Sequence, residues 1–387
     1  MATRDTSNVA GRKYDVADVV SLLNVGRYPL LAILTNAGKD PVTKKGKAMK
    51  KKETTDPEFK WYEDDFGSRT VTTTTGQTGK NIASTPQVVL ATGQGERVSV
   101  GDVIKFVTAG YTFLVTVVST DTLTLSNELG GLTGTVDLSS LEAWIVGNAN
   151  EEGASLRAIK GTTASEKVGY CQIFRTPFGV TETSKNTKTF IRENDLDYQR
   201  RKKGIEHMVD IERAFLFGKK AKITTGTHPR RFTMGVIDEI DTYATANVDT
   251  EAEFEAFLED AFRNGNVEKY ALCGAAFITQ VNQWAKNKLM ILPKDKTYGL
   301  QIVQYVSPHG TLNLIKHELL TGTKYGNYCV VLDMEALTYR YLSTRDTKLM
   351  TDRQSPGDDE IIEEYLTETG LQFEQESRHA IASKGAL

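Results

Sequence analysis

Residues 195–220 read DLDYQRRKKGIEHMVDIERAFLFGKK, with Ile205, Met208, Val209 and Phe215 recurring along one side at helical spacing. The segment predicts one long helix over 195–218. A helix that is apolar on one side must bury that side against a sheet or another helix. Gly204 in its middle costs about 1 kcal/mol relative to alanine and allows a bend. The helix holds no evident catalytic set. Around it, strand-like and helix-like segments are mixed without regular βαβ alternation, which predicts an α+β class rather than a doubly wound sheet.

The 387 residues suffice for two or three compact units, with 39% hydrophobic and 25% charged residues and a formal charge of -3. That balance argues neither for an overall nucleic-acid binder nor for an acidic tail protein. Cys171, Cys273 and Cys329 lie far apart in apolar surroundings and form no CxxC pair. They are expected to be buried free thiols in a reducing compartment. The longest apolar stretch, Val19 to Leu34, is interrupted by Arg27 and Pro29, so no membrane span is expected. The start, MATRDTSNVA, lacks a basic and apolar leader pattern, and a soluble protein made in a cytoplasm is expected.

Along the chain, residues 1–57 read as an arm with apolar anchors and no core of its own. It carries a short apolar helix around Val16–Leu23 and the lysine run KKGKAMKKK at 44–52. That run is either a solvated loop or a contact with polyanion or an acidic neighbour. EFKWYEDDF (58–66) reads as a strand or a sharp turn, and TVTTTTGQTGK (70–80) then breaks the pattern. From 84 to 148, GDVIKFV, YTFLVTVV and DTLTLS are short β-branched runs at meander spacing, which predict a small β-barrel or sandwich. KVGYCQIF (167–174) is a strand expected to return beside the one near Trp61. Beyond the long helix, Thr250 and Glu253 form a capping box ahead of the stripe Phe254, Phe257, Leu258, Ala261 and Phe262, with Gly265 closing the helix. KYALCGAAFITQVNQWAK predicts strand, glycine turn and helix, and residues 299–320 predict two strands around Ser307-Pro308-His309-Gly310. From Asp352 to Glu376 the chain has nine acidic residues and one arginine, read as an ordered element with a charged face.

No catalytic constellation emerges. Gly79-Lys80 fails the phosphate-loop pattern, because Thr74 and Asn81 stand where glycine and a hydroxyl are needed. Gly93 and Gly95 begin a dinucleotide motif that Val98 ends. The five histidines are scattered, and the adjacent His317 and Glu318 point to opposite faces. Asp352, Asp358, Asp359 and Glu360 lack calcium-loop spacing and read as a solvated turn. No catalytic, cofactor or metal site is expected.

Taken in order, RYPLLAIL, FKWYEDDF, VSVGDVIKFV, DTLTLS, NANEEGA, YCQIFRTPFGVTET, KKGIEHMVDIERAFLFGKK, VSPHGTLNLI, VVLDMEALTYRYL and EEYLTETGLQF span nearly the whole chain. The pattern resembles the major capsid proteins of tailed phages, of the fold named after the Hong Kong 97 phage, in the group with a β-rich insert before the long helix. The resemblance implies an arm over 1–57 and an extended loop over 58–190 carrying the insert at 84–148. It implies a peripheral domain over 191–249 with its spine helix at 195–218, an axial domain over 250–345, and a C-terminal return to the peripheral domain over 346–387. It further implies a non-enzymatic, self-assembling virion protein that forms hexamers and pentamers of an icosahedral shell around packaged DNA. Scaffolding, portal and decoration proteins are its expected partners, and no membrane is involved. Candidate inter-subunit or DNA-facing residues are Lys44, Lys45, Lys47, Lys50, Lys51, Lys52, Trp61, Asp64, Lys202 and Lys203. A cellular encapsulin-like compartment shell and a β-module-bearing enzyme are the alternative readings.

Overall fold

The strand Glu360–Phe373 organises the main body of the protein, seen in a computed structural model. The structure describes residues 29–31, 50–64, 68–127, 129, 133–150, 152–153, 164–186, 195–285 and 302–386. The 360–373 strand pairs antiparallel with Gln172–Thr181 on one side, and with Leu337–Leu342 and Lys348–Met350 on the other. Lys50–Thr54 adds a parallel edge against Leu337–Leu342. The expected arm therefore does not end at 57 as a free element: its residues 50–54 belong to the sheet. Edge pairing uses backbone groups and tolerates lysine side chains, so no apolar pattern announced it.

The long helix spans Asp195–Phe217, unbroken through Gly204. It buries Leu196, Met208, Ile211, Phe215 and Leu216 in a core with Phe174, Phe178 and Tyr365 of the sheet. Each such side chain contributes about 1.5–3 kcal/mol through burial. Among the described residues of this unit, a second sheet runs in the order Ala244–Thr245, Ala380–Ser383, Tyr328–Leu332, Glu268–Cys273, Gly310–Lys316 and Ile302–Ser307. The central strand Tyr328–Leu332 is buried throughout. Its alternate residues serve different cores: Tyr328, Val330 and Leu332 join the core under the long helix, whereas Cys329 and Val331 join one built on helices Glu251–Ala261 and Ala275–Ala285. The capping box forms as expected, with Glu253 N–H donating to Thr250 Oγ1 at 3.3 Å and Thr250 N–H to Glu253 Oε2 at 2.8 Å.

The expected domain division is corrected here. The division at 345 is crossed by strands in both directions, because 337–342 joins the first sheet and 380–383 joins the second. The cysteines are buried free thiols as expected, and Cys273 and Cys329, although far apart in sequence, face each other on neighbouring strands with their sulfurs 3.4 Å apart. The acidic C-terminal stretch is an ordered strand as expected, but its charge does not lie on an open face, since Glu363, Glu364 and Glu368 are buried and each is paired with arginine.

Residues Tyr62–Ser165 form a second compact unit. Its sheet runs Thr70–Thr72, Glu142–Asn148, Asp102–Phe106, Thr112–Ser119, Thr122–Ser126 and Gln87–Val89. The two outer strands then meet. Thr73 bridges Leu90, Thr74 N–H donates to Val89 O at 2.9 Å, and Ala91 N–H donates to Thr72 O at 2.8 Å. The sheet is thereby closed into a six-stranded barrel around its own core, which includes Val71, Phe106, Phe113, Leu123, Leu125 and Ile145. The barrel starts at 70 rather than 84. The threonine run that reads as a break is a strand, with Thr73 buried and its Oγ1 donating to Leu138 O at 2.5 Å. Gly93 and Gly95, the failed dinucleotide motif, hold the Asp121 carboxylate through their N–H groups at 3.0 and 2.9 Å. A side chain at Gly95 would strike Thr120 O, which lies 1.7 Å from the Cβ position.

Candidate functional site: a buried anchor on the long helix

Pro29, Leu30 and Leu31 form a helical turn whose leucines are buried in the main core. The first N–H groups of a helical turn have no partner within it. Glu212, fully buried on the long helix, supplies one: Leu30 N–H donates to its Oε1 at 2.8 Å and Leu31 N–H to its Oε2 at 3.0 Å. His317 closes the site. Its Nε2 lies 2.9 Å from Glu212 Oε1, and its Nδ1 accepts from Leu319 N–H at 3.1 Å. An accepting Nδ1 assigns the proton to Nε2, so His317 donates to the carboxylate. Three donors offset the cost of burying one carboxylate, and loss of any partner exposes that cost.

The same helix is tied to the 360–373 strand by further polar contacts. His207 lies between Thr176 Oγ1 at 2.8 Å and Thr367 Oγ1 at 2.7 Å, and burial pushes its pKa down to about 4. Arg200 grips Glu363 with two hydrogen bonds of 2.7 and 2.5 Å, and that contact raises its pKa. Glu364 sits between Arg175 at 2.7 Å and Arg353 at 2.8 Å. Burial pushes the Glu364 carboxyl up, but the two guanidiniums outweigh it and leave its pKa below the ordinary value. Beside the anchor, a groove of about 330 Å³ is lined by Ile205, Val209 and Leu319, with Glu206, Asp210, Arg213 and Glu318 around them.

The sequence-derived candidates do not gather into one site. Lys44, Lys45 and Lys47 lie outside the described residues. Lys50 and Lys52 are exposed on the edge strand, while Lys51 pairs with Asp346 and lies 5.0 Å from the Tyr341 ring centre. Trp61 is half-buried against the main core and Asp64 is exposed. Lys202 is exposed, and Lys203 pairs with Glu206 at 2.6 Å. The anchor itself was missed. Its one sequence signal is an acid, Glu212, set among Met208, Ile211, Phe215 and Leu216 on the apolar side of the helix. Among the described residues, no group of three or more His, Cys, Asp or Glu side chains is arranged to hold a metal ion.

These contacts are structural in kind, fixing backbone segments distant in sequence to one helix and one strand. A family model described as SU10 major capsid protein matches residues 2–385, and the chain belongs to that family of phage major capsid proteins. A curated relative, the major capsid protein of Pseudomonas phage PaMx41, is 20% identical over 252 residues, which is 61% of this chain and 60% of that relative. A solved structure from Mycobacterium phage Bobi covers 99% of this chain and 95% of its own at 9% identity and TM-score 0.44. One from Mycobacterium phage Cain covers 99% and 94% at 9% identity and TM-score 0.43.

Proposed function

We propose that this chain builds the icosahedral head shell of a tailed phage around packaged double-stranded DNA, with a Hong Kong 97-like architecture. The observation that carries the reading is the family match across residues 2–385. In this reading the 195–217 helix is the spine of a peripheral domain, and the N-terminal arm, anchored to its own body at Leu30 and Leu31, grips neighbouring subunits. The barrel at 62–165 rides on an extended loop. An arm and a loop that each hold a neighbour multiply effective affinity beyond that of any single contact. Partners are other copies in hexamers and pentamers, together with scaffolding, portal and decoration proteins. The lysines at 44–52, with Trp61, Asp64, Lys202 and Lys203, remain proposed inter-subunit or DNA-facing residues. Synthesis takes place in the host cytoplasm.

Electron microscopy and light scattering of the purified protein across a concentration series test the reading. Rings or closed shells are expected. A compact monomer at every concentration, with and without other virion proteins, overturns it, and DNA-free particles holding a cargo protein favour a compartment shell.

A further inference from the structure

The long helix runs into an exposed hairpin, Ala221–Ile223 paired with Arg230–Phe232. From 218 to 232 the chain reads GKKAKITTGTHPRRF, with Lys219, Lys220, Lys222, Arg230 and Arg231 and no acidic residue. Lys222 stands opposite Arg231, a repulsive pairing that Glu58 relieves by contacting both. Lys220 pairs with Glu239 at 3.1 Å. Lys219 and Arg230 are exposed and have no side-chain partner among the described residues. By strand alternation Arg230 shares its face with Ile223 and Phe232, which are 42% and 36% exposed. An aromatic, an aliphatic and an arginine on one open face match the composition of a protein interface better than that of a phosphate-binding surface.

Charge of the opposite sign stands elsewhere in the same unit. Asp352, Asp358 and Asp359 are exposed in the turn before the 360–373 strand, and their carboxylates have no partner among the described residues. The neighbouring cation, Arg353, is committed to Glu364 at 2.8 Å. The two patches lie at opposite ends of the long strand. Thr233, which follows the hairpin, accepts from Leu371 N–H at 2.9 Å, whereas the turn leads into Glu360. Eleven steps (371 − 360) of about 3.3 Å separate Glu360 from Leu371, roughly 36 Å and several Debye lengths. Within one subunit the patches cannot neutralise each other.

We propose that the 219–232 hairpin of one copy docks on the 351–359 turn of a second copy. Two different surfaces then meet head to tail, the contact type that closes into rings. The inference rests on the shell-subunit reading and names one of its interfaces.

Two charge-reversed proteins test it: Lys219→Glu with Arg230→Glu, and Asp358→Lys with Asp359→Lys. All four positions are exposed, so circular dichroism and thermal melts should match the wild type. The first protein carries two acidic patches and the second two basic ones. Each alone should stay unassembled at concentrations where the wild type forms particles, and equal mixing should restore even-membered rings such as hexamers, in which the two proteins alternate. The milder Lys219→Gln with Arg230→Gln should raise the onset concentration about tenfold. If the wild type assembles while either reversed protein also assembles alone, or the mixture stays unassembled, the contact is overturned and the shell reading stands. If the hairpin variants assemble normally but retain less DNA, the hairpin is a polyanion site and the proposal falls. A wild type that never leaves the monomer overturns both.

Discussion

Glu212 on the long helix holds the backbone N–H of Leu30, 182 residues earlier in the chain, at 2.8 Å. The same carboxylate takes Leu31 N–H and the His317 ring, so three segments distant in sequence share one buried charge. Such a junction fixes Leu30 and Leu31 to the body.

Glu212→Ala is expected to leave two buried N–H groups and His317 without their acceptor, at a cost of about 3 kcal/mol or more. Glu212→Gln should be nearly as damaging, because its amide NH₂ would face a donor. Urea melts measure the loss, and trypsin should cut the 44–52 lysines faster in both variants. Unchanged midpoints and cutting would mean that the anchor contributes nothing.

The pKa of His207 is depressed by burial to about 4 in the fold, against an unfolded value of about 6.5. A depressed folded value means stability that is complete above pH ~6.5 and is lost as pH falls toward 4. The slope is about 1.4 kcal/mol per pH unit, on the order of 3 kcal/mol in all. Glu364 and Asp333, also depressed, extend the loss to lower pH. Chemical melts from pH 7 to 4 should show a shallower slope in His207→Gln than in the wild type.

Two glycines should respond in opposite directions. A Cβ at Gly204 would sit 3.4 Å from the Tyr365 ring, an ordinary contact, so Gly204→Ala should stabilise the helix by up to about 1 kcal/mol. A Cβ at Gly274 would sit 2.3 Å from Gly326 O, so Gly274→Ala must displace backbone and should lower the melting temperature. Paired thermal melts decide both.

The barrel has its own core and no open sheet edge among its described strands. Replacing 62–165 with a short Gly/Ser linker should leave a cooperatively melting body that no longer closes shells. The excised unit 62–165 should give a β-rich circular dichroism spectrum and a melt of its own. A linker protein that fails to fold would place the barrel within the body's core, and one that assembles normally would make the barrel decoration.

Much of the local structure was legible before any coordinates. The 195–217 helix, the Thr250–Glu253 box, the strand–glycine–helix at 268–285 and the 302–316 strand pair all follow from apolar period and capping chemistry. The strand Ser165–Tyr170 also pairs with Glu58–Glu63 as its pattern suggested. The anchor was not legible, since a lone acid on an apolar helix face does not name its partners.

Sequence by itself determined element type, because helix and strand periods and caps are written within a few adjacent residues. Tertiary structure alone decided which elements meet. It made the lysines at 50–52 a sheet edge, turned the 70–74 threonines into a barrel strand, and faced Cys273 with Cys329. It also converted the acidic run near 364 into buried arginine pairs. Backbone pairing and buried charge compensation depend on groups from eleven to nearly three hundred residues away, and no local pattern encodes that distance.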